Sequence, residues 1–103
     1  MPIRLVVADD HPLILYALQQ LLRLEQDIQV LACCRNGTEA LQAIKDYQPD
    51  VLILDVRMPG QDGLTVLREM RQEHSPTRVV LLTAGLGEHE VLEAIRLGAE
   101  GVC

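Results

Sequence analysis

The sequence predicts an α/β fold built on one parallel sheet, because short apolar runs alternate with segments of helical period. Four apolar runs have the length of buried strands. They are Ile3–Ala8, Ile28–Cys33, Val51–Leu54 and Val79–Leu82. The 103 residues contain no internal repeat or low-complexity stretch, so a single small domain spanning 1–103 is the simplest organisation.

The first two helices are predicted from capping residues and apolar spacing. The first helix should begin near Pro12, because the fixed backbone angle of proline suits an opening turn. Its apolar stripe is expected at Ile14, Leu18, Leu21 and Leu22. The second helix should run from Gly37 to about Asp46, after the second strand. Its inward residues are expected to be Ala40, Leu41 and Ile44.

The second half of the chain repeats the alternation. Asp62 is expected to cap a third helix that ends at 74–76. Its apolar residues are Leu64, Leu67 and Met70. A fourth helix follows the fourth strand and should end at Gly98, a residue typical of helix C-termini. Its apolar residues are Val91, Leu92 and Ile95. Residues 99–103 then predict the beginning of a fifth strand.

Composition excludes several classes of protein. Nine Lys and Arg against fifteen Asp and Glu give a net charge of −6 without a basic cluster, so this segment should bind neither nucleic acid nor an anionic membrane. No signal peptide or membrane-spanning run is present, which predicts a cytoplasmic protein. Cys33, Cys34 and Cys103 lack the spacing of a zinc or redox site and are expected to fill the core.

Acidic and hydroxyl residues follow the predicted strands. Asp9 and Asp10 close the first run, Asp55 closes the third, and Thr83 follows the fourth. Carboxyl ends of parallel strands gather at one edge of a sheet, so the three carboxylates should share a small volume. Such a cluster is unfavourable alone, but it suits a hard divalent cation with oxygen ligands. The sequence therefore predicts a Mg²⁺ site with a hydroxyl beside it.

Each of these residues also has a plainer interpretation. Asp9 and Asp10 are typical helix caps, Asp55 is a typical turn residue, and Thr83 can bond a loop amide. Their joint placement at strand ends favours the shared site. His11 has no evident acid–base partner in the sequence, so we expect it to face solvent at the helix N-terminus.

Four motifs in register resemble the receiver domain of two-component response regulators. They are Ala8-Asp9-Asp10-His11-Pro12-Leu13, Asp55-Val56-Arg57-Met58-Pro59-Gly60-Gln61-Asp62-Gly63, Leu82-Thr83-Ala84 and Leu97-Gly98-Ala99-Glu100-Gly101. The first two motifs are similar to the branch with a LuxR-type helix-turn-helix output domain. The resemblance implies a flavodoxin-like three-layer sandwich with parallel sheet order 2-1-3-4-5. In this chain the fifth strand would be cut short, and the fifth helix and the DNA-binding output domain would be absent.

The resemblance also implies roles for individual residues. Asp55 would be the phosphoacceptor, and Asp9, Asp10, Asp55 and the backbone carbonyl of Arg57 would hold Mg²⁺. Thr83 would contact a phosphoryl oxygen and act as the switch. The phosphoryl group would come from a sensor histidine kinase. The domain would be a self-phosphorylating acceptor capable of autodephosphorylation, not a turnover enzyme.

Two departures from the family pattern affect these expectations. Receivers carry a lysine at the end of the fifth strand, which by alignment would lie about two positions beyond Cys103, and the only lysine here is Lys45. Val102 stands where many receivers have an aromatic switch residue, which weakens the expected coupling to Thr83. An open sheet face and an unpaired edge further predict self-association, as a dimer or larger species or by exchange of elements.

Three other functions are alternatives to a receiver. A dehalogenase-type phosphatase would need a second aspartate at the position of Arg57, and a flavin binder would not place Asp9 and Asp10 against a phosphate. A receiver-like interaction module that works without phosphorylation is the remaining alternative. Retention of all the acidic residues favours the phosphoacceptor.

Overall fold

The computed structural model describes residues 2–55 and 63–82, which form four strands and three helices. In chain order they are β1 (Ile3–Ala8), α1 (Pro12–Arg23), β2 (Ile28–Cys34), α2 (Gly37–Tyr47), β3 (Val51–Asp55), α3 (Gly63–Gln72) and β4 (Arg78–Leu82). Each strand and helix predicted within this range is present, with bounds that differ by about one residue, except that α3 ends two residues before the predicted 74–76. The predicted fourth helix, the fifth strand and the Asp62 cap lie outside the described residues.

The sheet has the predicted parallel topology. The four strands are ordered β2-β1-β3-β4, and all three neighbouring pairs are parallel. This order agrees with the flavodoxin-like arrangement expected for strands one to four. Parallel pairing places the carboxyl ends of β1 and β3 beside each other at one edge.

The two faces of the sheet carry separate apolar cores. Alternate side chains of β1 and β3 pack on one face with α2 and α3, and on the other with α1. Val6 and Leu52 belong to the first core, Leu5 and Ile53 to the second, and all four are fully buried. Because both faces of these strands are covered, Leu5–Ala8 and Val51–Leu54 are apolar without interruption instead of alternating with polar residues.

Helix α1 covers the second core through Leu15, Leu18 and Leu22, spaced three and seven residues apart along one face. The predicted stripe is therefore right at Leu18 and Leu22 but wrong at Ile14, which is 43% exposed, and Leu21 is only partly buried. Apolar residues run without a break through the first half of this helix. The sequence pattern therefore does not decide whether Ile14 or Leu15 faces the core.

Strand β2 lies at the edge of the described sheet and contains an irregularity. Leu5 pairs with Val30 but Val6 pairs with Ala32, so Leu31 is an extra residue without a partner on β1. Leu31 and Ala32 consequently both pack toward the first core. Edge strands commonly carry such bulges, which disturb the regular row of backbone groups offered to another chain.

The cysteines of β2 have the environment of structural residues. Cys34 is 4% exposed within the first core, and burial raises the pKa of its thiol to about 11. It therefore stays protonated at neutral pH. Cys33 is partly buried, and its sulfur accepts a hydrogen bond from Gln19 Nε2 at 2.8 Å.

Both ends of α2 are fixed by side chains. At the start, Asn36 Oδ1 accepts from the Glu39 amide at 2.9 Å, and Glu39 Oε1 accepts from the Arg35 amide at 3.1 Å. At the end, the Arg4 guanidinium donates to the carbonyls of Gln48 and Tyr47 at 2.9 and 2.6 Å. Arg4 therefore ties the first residues of β1 to the C-terminus of α2.

The described helices give no indication of membrane insertion. Within residues 2–55 and 63–82, none combines the length and the apolar character needed to cross a bilayer.

We expect Asn36→Ala to lower the free energy of unfolding by about 1 kcal/mol, because the Glu39 amide loses its acceptor at the helix N-terminus. Urea denaturation followed by circular dichroism measures this loss. Thr38→Ala, an exposed position in the same turn, is the control and should change stability by less than about 0.5 kcal/mol. Equal losses in the two variants would contradict the capping role of Asn36.

Candidate functional site

Strand pairing brings the predicted acidic residues together. Ala8 pairs with Leu54 in the β1–β3 ladder, so Asp9 and Asp55, which directly follow these two residues, lie at the same edge of the sheet. Asp10 follows directly. The three carboxylates and the ring of His11 each offer one ligand atom, and these four atoms lie within 4.8 Å of one another. The predicted clustering of Asp9, Asp10 and Asp55 is therefore present in the fold.

Asp9 is held in place by hydrogen bonds of its backbone and its side chain. Its amide donates to the Cys34 carbonyl at 3.0 Å, which continues the β1–β2 ladder by one residue. Its Oδ1 accepts from the His11 amide at 2.9 Å, a turn that leads into α1. Asp9 is only 2% exposed, so this carboxylate is buried at the base of the site. The helix-cap interpretation of Asp9 is thus partly right, since its oxygen bonds the amide at the N-cap position.

The ring of His11 lies among the three carboxylates. Its Nδ1 is 2.7 Å from Asp9 Oδ1, 3.0 Å from Asp10 Oδ1 and 3.6 Å from Asp55 Oδ2. We expected His11 to face solvent without an acid–base partner. That expectation is wrong in its second half, because the side chain is 57% exposed yet contacts every acidic residue of the cluster.

One imidazole nitrogen cannot satisfy all of these acceptors. A single proton on Nδ1 is directed at Asp9, and Asp10 Oδ1 is buried without a hydrogen-bond partner despite its 3.0 Å distance from the ring. The short distance to Asp10 is therefore a charge contact without hydrogen-bond geometry. A buried carboxylate oxygen without a donor is costly, and a cation between the carboxylates would supply what the ring does not.

The carboxylates stabilise the protonated form of His11. Its pKa is raised above the ordinary 6.5, chiefly by the hydrogen bond to Asp9 and next by the negative charge of Asp10. Desolvation acts in the opposite direction, and the charges of Asp9 and Asp55 raise the pKa further. Because the ring is exposed, solvent screens these charges. When it is protonated, the ring is a local counterion of the three carboxylates.

The donor set fits a divalent cation. Carboxylate oxygens from Asp9, Asp10 and Asp55 are the ligands that Mg²⁺ prefers, and an ion bound by a few carboxylates keeps several waters. The orphaned Asp10 Oδ1 supports the fit. Arg57, whose carbonyl was expected to complete the ligand set, and Thr83, the expected switch, lie outside the described residues.

His11 is the residue that sequence reasoning missed. Its separation from Asp9 by a single residue, with Pro12 opening the helix, is the signal that was available. At the N-cap position the backbone of His11 is extended, which turns the ring back toward the carboxylate two residues earlier. Only the chain's path through the turn brings the ring to Asp10 and Asp55 as well.

Comparison with known proteins agrees with the geometry. Residues 5–103 match the response regulator receiver domain family. The nitrate/nitrite response regulator protein NarL of Escherichia coli K12 is 31% identical over 100 residues, which cover 97% of this chain and 46% of that protein. The oxygen regulatory protein NreC of Staphylococcus aureus is 32% identical over 99 residues, covering 95% and 46%. The chain thus spans about half the length of these curated relatives.

A solved structure gives the same result. A LuxR-family DNA-binding response regulator from Staphylococcus aureus superposes with a TM-score of 0.85 at 30% identity, over 94% of this chain and 98% of that one. The family match, the sheet order and the acidic cluster at the carboxyl edge agree with one another. The chain therefore belongs to the receiver domains of two-component response regulators, with relatives of the NarL and LuxR type.

Proposed function

We propose that this domain accepts a phosphoryl group on Asp55 from a partner histidine kinase and thereby controls a DNA-binding transcriptional output domain. The observation that carries the proposal is the convergence of Asp9, Asp10 and Asp55 within a few ångströms at the carboxyl edge of the sheet. Receiver domains are signalling domains rather than turnover enzymes. The proposed setting is the cytoplasm.

Asp55 has the position expected of a nucleophile. It is the last residue of β3, a strand buried on both faces, and its side chain is 13% exposed. A phosphodonor would therefore meet a carboxylate with a restricted approach and a fixed direction, which favours in-line attack. In the proposed step a carboxylate oxygen bonds to phosphorus, and the bond between phosphorus and the kinase histidine nitrogen breaks. The electron pair of that bond returns to the imidazole.

Asp9, Asp10 and Asp55, with the carbonyl of Arg57, would hold Mg²⁺. When bound, the ion would neutralise charge on the phosphoryl oxygens. Asp9 is suited to anchoring because its burial and two hydrogen bonds fix its orientation. Thr83 follows Leu82, the residue that pairs with Asp55, and its hydroxyl is the proposed phosphoryl contact and switch.

The alternative is a receiver-like interaction module that works without phosphorylation. Such a module would have the same fold and would be similar to the same proteins. The two functions therefore differ only in whether Asp55 is phosphorylated. The crowded carboxylates favour the phosphoacceptor, because an interaction module gains nothing from their mutual repulsion. A direct phosphorylation measurement separates the two functions.

With acetyl phosphate and Mg²⁺, we expect the protein to gain the mass of one phosphoryl group on Asp55, slowly and only with the cation present. Intact-mass spectrometry follows the adduct. Asp55→Ala should lose it, whereas Asp46→Asn, an exposed position at the end of α2, should retain it. An adduct that persists in Asp55→Ala refutes the assignment. Absence of any adduct in the unmodified chain, with Mg²⁺ bound, would favour the interaction module.

Self-association belongs to the same proposal. Leu13 and Tyr16, three residues apart on α1, are 83% and 62% exposed, and this apolar surface is the candidate contact. We expect dimers or larger species in sedimentation velocity, and Leu13→Glu should shift the population toward monomer. Thr38→Glu adds the same charge to α2 and should leave the distribution unchanged. A monomer at high concentration would contradict self-association.

A further inference from the structure

We propose that His11 is a metal ligand, so that the acidic cluster also binds late first-row divalent cations such as Ni²⁺ and Zn²⁺ through its Nδ1. The inference rests on the proposed metal-binding role of the three carboxylates and not on phosphoryl transfer. It assigns to His11 the selection among cations, whereas Mg²⁺ would use oxygen ligands alone.

The distances between the donor atoms support a shared ion. Nδ1 lies 2.7, 3.0 and 3.6 Å from one oxygen each of Asp9, Asp10 and Asp55. Ligands about 2.1 Å from a zinc-sized ion are separated by about 3.0 to 3.4 Å when they occupy neighbouring coordination positions. The four donor atoms, which all lie within 4.8 Å of one another, are therefore near enough to surround one ion after small shifts of their side chains.

The chemistry of the donor atoms favours late first-row cations. Three carboxylates alone form a hard oxygen site, but imidazole is a preferred ligand of Zn²⁺, Ni²⁺ and Cu²⁺ and a poor one for Mg²⁺. An ion at the centre would also engage Asp10 Oδ1, the buried oxygen that has no hydrogen-bond partner. One cation can thus contact all three carboxylates, whereas a single proton on Nδ1 is directed at only one of them.

The backbone around His11 holds the ring in place without occupying its nitrogen elsewhere. His11 is the N-cap residue of α1, but its side chain makes no capping bond, and its carbonyl accepts from the Leu15 amide at 3.0 Å. Pro12 restricts the backbone that follows. Nδ1 can bind a cation in the tautomer that carries the ring proton on Nε2, and the side chain is 57% exposed.

Two measurements test the inference. By calorimetry, His11→Gln should reduce the preference for Ni²⁺ over Mg²⁺ at least about tenfold, the lower end of what even an outer-shell partner of a metal ligand contributes. His74→Gln, on the described chain beyond α3, is the matched control and should leave the preference unchanged. In a His74→Gln and His89→Gln background, in which His11 is the only histidine, Zn²⁺ should shift the ¹⁵N resonance of Nδ1 far more than that of Nε2.

The outcomes separate this inference from the proposed function. If His11→Gln leaves the ratio of Ni²⁺ to Mg²⁺ affinity unchanged, or Zn²⁺ does not shift Nδ1, the ligand role of His11 is overturned while the Mg²⁺ site stands. Equal strengthening of both affinities in His11→Gln would likewise overturn it, because the ring would then be a competitor of the metal. If Asp10→Asn and Asp55→Asn leave the Mg²⁺ response unchanged, the shared site itself fails.

Discussion

Parallel pairing of β1 with β3 is the constraint on which the rest of this domain depends. Both strands are buried on both faces, and the match of Ala8 with Leu54 makes the following aspartates neighbours. Apolar burial therefore overrides the electrostatic cost of crowding carboxylates. Burial of one apolar side chain stabilises the fold by about 1.5 to 3 kcal/mol. The buried side chains of the two strands together therefore outweigh the repulsion between the carboxylates, which lie at a partly hydrated edge.

The crowding of the three carboxylates affects both the stability of the domain and its proposed function. A protonated His11 ring partly offsets the negative charge of the cluster, and Asp10 Oδ1 is buried without a hydrogen-bond partner. A divalent cation offsets the repulsion more completely, and a phosphoryl group on Asp55 would add negative charge to the same small volume. Sensitivity of the edge to charge is the property that a phosphorylation switch requires.

Much of this was predictable from sequence because continuous apolar runs identify strands buried on both faces, and their terminal aspartates predict a common edge. The rotation of α1 was not, since an unbroken apolar stretch allows either Ile14 or Leu15 to face the core, and only packing selects Leu15. The bulge at Leu31 was not predictable from sequence either, because it arises from the pairing of β2 with β1. His11 was missed because its partners Asp10 and Asp55 converge on it only through the turn and the β1–β3 pairing.

Urea unfolding at low ionic strength, with and without Mg²⁺, tests most directly whether the carboxylates form one repulsive site that a cation relieves. Without the cation, Asp10→Asn should be more stable than the unmodified chain. With Mg²⁺ at a hundred times its dissociation constant, the unmodified chain should gain about 2.7 kcal/mol and the variant distinctly less. A variant that is no more stable without Mg²⁺, and that gains as much from it, would contradict the account.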